Sequence, residues 1–546
     1  MTENNLFFRY LLGGVKAPVS ANEREICNEA AVQMKRAGLH TGSLHFRLYK
    51  RSIDARKRDE LHFVCTVLIE SEAPLPQGLQ KRIGLRQLVE ESPDPVRGTE
   101  LLQAPPLVVG MGPAGLFAAY LLAKNGYFPI LIDRGDAVEN RVFSVETFLL
   151  DGKLDPESNI QFGAGGAGTF SDGKLITRIH DPYCNEVLKI LHRFGAPDEI
   201  LTLAKPHIGT DLLRQVVSNL LSEIERLGGK VIYRCRMDDF SELPDKTLRV
   251  FTNRGELQCG ALILAPGHSA RDTYALLLQK QFFIEAKPIS VGVRAEHLQS
   301  EIDRALFGDF AGHPNLGHAE YALSDTKGKR GVYTFCMCPG GEVIAAASED
   351  GGLVVNGMSN HARNGKNANA AVVVSLSCAD YEPVNGSLAL GAIALQRHIE
   401  RAAFATGGGD YVAPVMTLGD LTGEFCGREP SRVQPSYRKG KVRVADLRGI
   451  FPAFVTESLR YAFSSFGKKL EGYDAPDTVL TAAETRTSAP LRILRLPEER
   501  TAIGHDLVYP CGEGAGYAGG ITSAAVDGLH TAEALIKRFG GLDKQR

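Results

Sequence analysis

The stretch PPLVVGMGPAGLFAAYLLAKNGYFPILIDRG, residues 105–135, decides how this 546-residue chain is read. Apolar residues 107–109 lead into Gly110-x-Gly112-x-x-Gly115, a helix-forming run follows, and a second apolar strand over 129–132 is closed by Asp133. Each part has a physical reason. Gly110 permits a tight turn, Gly112 lets backbone approach a pyrophosphate, Gly115 lets helix sit on strand, and the helix start offers free N–H groups to an anion. Asp133 stands where a carboxylate accepts hydrogen bonds from an adenosine ribose. The bare glycine pattern recurs at Gly163, Gly165, Gly168 and at Gly514, Gly516, Gly519, but without a following strand and acid in register. Only the first copy is therefore read as a dinucleotide site. Residues 105–123 carry no charge, yet their prolines and glycines would break a membrane helix, so a buried strand, turn and helix are expected instead.

Working outward, residues 1–72 read as an N-terminal α+β unit: an apolar run over 6–12, a helix over 21–37 opened by Ser20 with Glu23, and two strands over 43–49 and 62–69. The turn between these strands, KRSIDARKRDE, is strongly charged. It is read as a solvated hairpin tip; a nucleic-acid contact is the weaker alternative, since interleaved aromatics are missing. Residues 73–104 are Pro-rich and read as a linker with a helical interlude over 85–91. From 105 to 285 strands and helices alternate, including a helix over 210–227 with Thr210 as N-cap and strands over 231–234, 248–252 and 261–265. Residues 286–499 read as an inserted domain of short strands and loops, and 500–546 return with a strand over 507–509, a glycine-rich turn and a helix over 522–539.

Composition excludes other classes. There are 62 basic and 64 acidic side chains, so neither a basic nucleic-acid binder nor an acidic disordered chain is indicated. Ten cysteines scattered without regular spacing point to a reducing compartment, and with no basic, cleavable N-terminal leader a soluble cytoplasmic protein is expected; there is no Cys-x-x-Cys, so a disulfide reductase of ordinary type is not indicated. The fourteen histidines show no metal-like spacing, so no metal is expected. Glycine is in surplus, 58 residues where about 7% is usual, and the surplus is bunched.

Pro113 and Ala114 between the glycines, the turn Ala265-Pro266-Gly267 within ALILAPGHSARD, and the late string CGEGAGYAGGITSAAVDG resemble the glutathione-reductase superfamily. That resemblance implies FAD rather than NAD, with the ADP half on the first unit. It also implies Glu513 beside the ribityl or ribose hydroxyls, and the N-terminus of the last helix, near Gly520 and Ile521, aimed at the flavin. More narrowly, the strings KRSIDARK, SNIQFGAGGAGTFSDGKL, APGHSARD, KPISVGVRAE, FCMCPGGEV, NGMS and CGEGAGYAGGI are similar to a bacterial family of uncharacterised FAD-dependent dehydrogenases. One departure is Ala164, where that family's glycine-rich string has an acid.

The implied architecture is α/β: a glutathione-reductase-like Rossmann FAD-binding domain with an inserted α+β substrate domain and a small ferredoxin-like α+β domain in front. The expected cofactor-binding residues are Gly110, Gly112, Pro113, Ala114, Gly115, Asp133, Arg134, Arg141, Gly166, Gly168, Thr169, Ser171, Asp172, Lys174, Gly267, Gly512, Glu513, Gly519, Gly520 and Ile521. Candidates for catalysis are Cys336 and Cys338, either a redox pair or two structural thiols; Arg294, for an anionic substrate group; and His268, for proton transfer or simply a turn. The expected activity is hydride transfer between flavin and a small-molecule substrate, with NAD(P)H visiting transiently because no second complete dinucleotide unit exists. A non-turnover flavoprotein sensor and a flavoenzyme acting on RNA are the alternatives.

Overall fold

The computed structural model describes residues 7–88 and 95–542. The stretch around the first glycine motif forms the centre of a five-stranded parallel sheet. Its strands lie in the spatial order Val508–Pro510, Leu262–Leu264, Leu107–Val109, Ile130–Ile132 and Lys230–Ile232. Numbered along the chain this is the order 3-2-1-4-5 of doubly wound sheets, which places a ligand crevice outside the carboxyl ends of the strands. The three-residue strands Leu107–Val109 and Leu262–Leu264 are apolar and almost wholly buried, as expected where helices cover both faces. Helix Pro113–Lys124 has ten buried residues in succession from Ala114, so no amphipathic stripe marks it. No helix among the described residues is long and apolar enough to cross a membrane.

A second, seven-stranded sheet, almost entirely antiparallel, is built from residues 289–484 and centred on Asn367–Leu376 and Ile289–Leu298. The reading of this region as strands and loops missed its long helices Leu388–Gly407 and Ala453–Gly467. Leu388–Gly407 is rich in small residues, its buried stripe includes the polar Gln396 and Glu400, and the apolar Leu388 and Ala394 are exposed, which blurs the hydrophobic period. The strands Met237–Glu242 and Gly255–Cys259, which complete a three-stranded meander with Leu248–Thr252, were also not foreseen.

The N-terminal sheet runs in the order Leu44–Asp54, His62–Ser71, Phe8–Pro18, Arg86–Gln87, with helices Glu23–Arg36 and Gln77–Ile83 in the connections, a βαββαβ sequence. Three expectations change here. The capping box is Asn22 with Glu25 rather than Ser20 with Glu23, whose carboxylate instead accepts the Leu48 N–H. Residues 77–87, expected in the linker, supply the edge strand Arg86–Gln87 of this sheet and the helix before it, which lies at Gln77–Ile83 because Gly84 ends it in the left-handed conformation; part of the expected 85–91 helix, and Leu6, lie outside the described residues. Finally, the first half of the charged turn is strand. Lys50–Asp54 pairs with the neighbouring strand, the Arg51 backbone exchanges hydrogen bonds with Thr202 and Ala204, and Arg56, Lys57 and Arg58 each pair with an acid. Three of its five cations are thus paired with acids at the surface.

The parallel sheet and the seven-stranded sheet are joined by a buried ion cluster. Glu400 accepts from Arg271, at the start of the helix after Leu262–Leu264, at 2.8 and 2.9 Å, and from Arg486, just beyond strand Val479–Glu484, at 3.1 and 3.0 Å. Burial alone would raise the Glu400 carboxyl, but Arg486 and Arg271 hold it well below the usual carboxylate range. Its contribution to stability is present above the unfolded carboxyl pKa, about 4.3, and is lost as pH falls below it. Glu400→Gln leaves two buried guanidinium groups under-compensated and should lower unfolding free energy by about 3–5 kcal/mol in urea at neutral pH. The gap between variant and wild type should narrow on acidification.

Candidate functional site

At the carboxyl ends of the parallel strands, four glycine-bearing turns from distant parts of the chain meet backbone to backbone. Gly110 has φ +104°, and a Cβ there would lie 2.1 Å from the Ala265 carbonyl oxygen, so only glycine fits. A Cβ on Gly115 would lie 1.9 Å from the Gly110 oxygen, on Gly166 2.8 Å from Gly112 Cα, on Gly512 2.5 Å from Ala114 Cβ, and on Gly514 2.5 Å from the Gly267 oxygen. The strings at 110–115, 163–168, 265–267 and 512–514 are therefore one structure. The Tyr274 hydroxyl staples two of them, 3.0 Å from the Gly267 oxygen and 2.9 Å from that of Gly514.

Other glycines at the same place have no such protein reason. Gly112, Gly519 and Gly520 do not occupy the left-handed region, and a Cβ on Gly519 or Gly520 would meet nothing within 4 Å, on Gly112 only Gly166 Cα at 3.9 Å. Gly112 and Gly520 are the N-caps of helices Pro113–Lys124 and Ile521–Arg538, and neither helix start has a side-chain cap. The two starts lie side by side: a Cβ on Gly168 would be 3.2 Å from Ile521 Cγ1 and 3.9 Å from Pro113 Cγ. Open space, bare backbone and two uncapped helix N-termini are what a diphosphate and a flat ring system require. The residues fit a flavin dinucleotide.

Several side chains expected to touch cofactor are engaged by the protein instead. Arg141 is fully buried and donates to the carbonyls of Asn159, Ile160, Gly163 and Ala164 at 2.6–3.3 Å, holding the second glycine loop from beneath. Desolvation pushes its pKa down to about 9. Arg134 lies over the Phe162 ring and pairs with Glu157 and Asp272. Thr169 donates to Ala164, Ser171 to Gly168, and Asp172 is clasped by Arg363, with Lys174 shared between Asp172 and Glu320. This polar quartet shapes the loop. Thr210 likewise is no N-cap: its hydroxyl donates to the Thr169 carbonyl at 2.6 Å, and Gly209 precedes the helix. Ala164 is fully buried with its carbonyl occupied by Arg141, so an acid there would be buried against occupied groups. Asp133 accepts the N–H groups of Met111 and Gly135, each at 2.8 Å, which ties the first turn to the end of the second strand.

The catalytic candidates separate. Arg294 has no room for an anionic substrate: fully buried, it donates to Glu484 at 2.9 Å, Asn369 at 2.8 Å, Asn356 at 3.0 Å and the Cys336 carbonyl at 2.9 Å. His268 is half-buried against Ser269, and desolvation with the Arg486 and Arg271 charges pushes it down to about 4, so it is neutral at pH 7. Glu513, in the last turn, is raised to about 7 by desolvation, opposed by Lys287 and reinforced by Cys336. Sequence reasoning missed Lys287, Glu320, Arg363, Glu400 and Glu484, whose only signal was Lys287's place in KPISVGVRAE; the others meet their partners across long chain separations. Among the described residues no group of three or more His, Cys, Asp or Glu is placed to hold a metal ion.

Because folding raises the Glu513 pKa from 4.5 to about 7, its ionised form opposes the fold, and stability should fall as pH rises between those values. Glu513→Gln should remove that slope, so that flavin-free variant and wild type diverge in urea midpoint from pH 5 to pH 8, with the variant the more stable at the alkaline end.

Residues 288–487, which include every strand of the seven-stranded sheet, match the family "FAD-dependent protein, C-terminal domain-like", and residues 15–70 match a domain of unknown function. Among solved structures, the halogenase PltM is similar at 12% identity and TM-score 0.37, covering 80% of this chain and 68% of that one. The unusual amino acid oxidase NikD is similar at 13% and 0.32, covering 80% and 94%. CtdE in complex with FAD is similar at 11% and 0.32, covering 79% and 84%. Likenesses this distant carry over neither substrate nor activity. An uncharacterized protein of Clostridium beijerinckii is 45% identical over 496 residues, 90% of this chain and 92% of the relative. The chain belongs to the family of that Clostridium beijerinckii protein, and its cofactor is FAD.

Proposed function

We propose that the protein is an FAD-dependent oxidoreductase of dehydrogenase type, with residues 105–285 and 500–546 as a glutathione-reductase-like Rossmann unit and residues 286–499 as the substrate domain. The observation that carries this reading is the sorting of glycines: Gly110, Gly115 and Gly514 are required by protein contacts, whereas Gly112, Gly519 and Gly520 border open space that a side chain would fill. When bound, FAD supplies two-electron hydride chemistry at its ring system.

The chain's own residues do the rest. The N–H groups of the first turn and helix start at Gly112 to Gly115 bind diphosphate oxygens, and Asp133, with lone pairs beyond its two backbone bonds, receives the ribose. The start of helix Ile521–Arg538 presents N–H groups and a positive dipole end to the ring, which favours the reduced, anionic form. Glu513 is close to half-protonated near neutrality, so its carboxyl oxygens can hold or release a proton beside the ring. A small-molecule substrate enters from the seven-stranded sheet, NAD(P)H visits without a domain of its own, and a reducing, cytoplasmic setting suits the ten free thiols.

Purified protein should carry oxidised-flavin absorbance, and the flavin should bleach anaerobically with NADH or NADPH. Bleaching with dithionite alone would favour the sensor alternative, and no flavin after reconstitution would overturn the reading. Gly519→Val places its β-carbon where no protein atom lies within 4 Å. It should leave the flavin-free unfolding midpoint unchanged while weakening FAD at least about tenfold, roughly 1.4 kcal/mol, by titration.

A further inference from the structure

The strand Val332–Cys338 ends in an irregularity beside the buried Arg294. Its pairing with Asn367–Leu376 slips between Phe335 and Cys338, and Cys336 sits at φ +44°, a conformation that non-glycine residues rarely adopt. Beyond the slip, Cys338 Sγ lies 3.4 Å from the Cys336 carbonyl oxygen, and the two thiols are within hydrogen-bonding reach of each other. Cys336 is half-buried and Cys338 fully buried. Close approach is again enforced by glycine: a Cβ on Gly357 would lie 2.9 Å from Cys338 Sγ and 2.2 Å from Arg294 Nη1.

Charged groups from every side face this pair. Arg294 comes from strand Ile289–Leu298, Glu484 from strand Val479–Glu484, Lys174 and Asp172 from the second glycine loop, and Glu513 from the last turn. The dithiol therefore lies at the junction between the cofactor cradle and the seven-stranded sheet. A hydrogen bond from Cys338, with Arg294 and Lys174, outweighs desolvation and pushes Cys336 down to about 6, while Cys338 is pushed well above the ordinary thiol range by the same contact and by burial. The buried thiols Cys65, Cys259 and Cys511 go the opposite way, up to about 11 to 12, through desolvation.

We propose that Cys336 and Cys338 form a redox-active dithiol, Cys336 attacking and Cys338 resolving, and that the co-substrate is a low-molecular-weight disulfide. This rests on the oxidoreductase reading and adds to it the class of redox co-substrate. In the step, the Cys336 thiolate attacks one sulfur of the disulfide RSSR, forming Cys336–S–S–R and releasing RS⁻. Cys338 then attacks Cys336 Sγ, closing the internal disulfide and expelling the second RS group, which leaves as RSH with the Cys338 proton. Both protein thiols are oxidised and one disulfide is reduced. The one-residue spacing closes a small ring, which suits a bond made and broken in turnover rather than a permanent one.

The holoprotein would be labelled with iodoacetamide across pH 5–9 and its cysteine peptides quantified by mass spectrometry. Cys336 should label with a midpoint near pH 6, well below that of the exposed Cys426, which serves as internal reference. Oxidised glutathione should link Cys336 to Cys338 in the wild type, leave a stable glutathione adduct on Cys336 in Cys338→Ser, and leave Cys338 unmodified in Cys336→Ser. Labelling of Cys336 with the pH midpoint of Cys426, or glutathione adducts on Cys426 with no link between Cys336 and Cys338, would overturn the proposal. Because labelling needs no flavin, a flavin-loaded protein with an inert Cys336 removes only this inference, and a flavin-free protein with a reactive dithiol removes only the cofactor reading.

Discussion

The structure depends on backbone meeting backbone at the carboxyl ends of one parallel sheet. The Gly110 turn rests on the Ala265 carbonyl, the Gly514 turn on Gly267, and the Gly166 loop on Gly112. A single β-carbon at any of these points would force the turns apart, because backbone atoms 2.1–2.8 Å away cannot be accommodated by side-chain adjustment. Their closeness brings two helix starts side by side and leaves them uncapped. Unpaired N–H groups and helix dipoles there are a cost in the empty protein that an anionic cofactor offsets.

Around that cradle, buried charge is used to position rather than to bind. Arg141 holds the second glycine loop by four carbonyls, Arg363 clasps Asp172 across 191 residues, Glu400 joins Arg271 to Arg486, and Arg495 and Arg500 hold Asp527, which in turn accepts the Gly512 N–H at 2.7 Å. A buried ion is tolerable only when fully paired, so each such cluster fixes the separation of the segments that supply its members. This explains why arginines near the glycine motifs, attractive as ligands for phosphate or substrate, turn out to face inward. Arg294 is the clearest case, since four acceptors surround it and one of them is the backbone of the residue whose thiol it activates.

Much of the parallel sheet was legible because its signals are local. Gly110 to Asp133 lie within one strand, turn, helix and strand, and both strands and the helix appear where the spacing placed them. The late turn and final helix were legible for the same reason, to within a residue or two. The long helix Leu388–Gly407 was not, because its buried face carries Gln396 and Glu400 while apolar Leu388 and Ala394 are exposed, so apolarity does not follow the helical period. Nor was the strand nature of Lys50–Asp54, whose backbone pairs with His62–Thr66 and, at Arg51, with Thr202 and Ala204 far away in sequence.

By itself the sequence determined which backbone must come close to something: the glycine spacings, the acid in register and the absence of a second complete unit are properties of contiguous residues. Only the tertiary structure decided which glycines serve the protein and which border open space, and which charges are spent internally. It also decided that Cys336, Arg294, Glu484, Lys174 and Glu513 share one place. Those are facts about contacts between segments far apart in the chain, and burial, pairing and pKa depend on such contacts rather than on residue type.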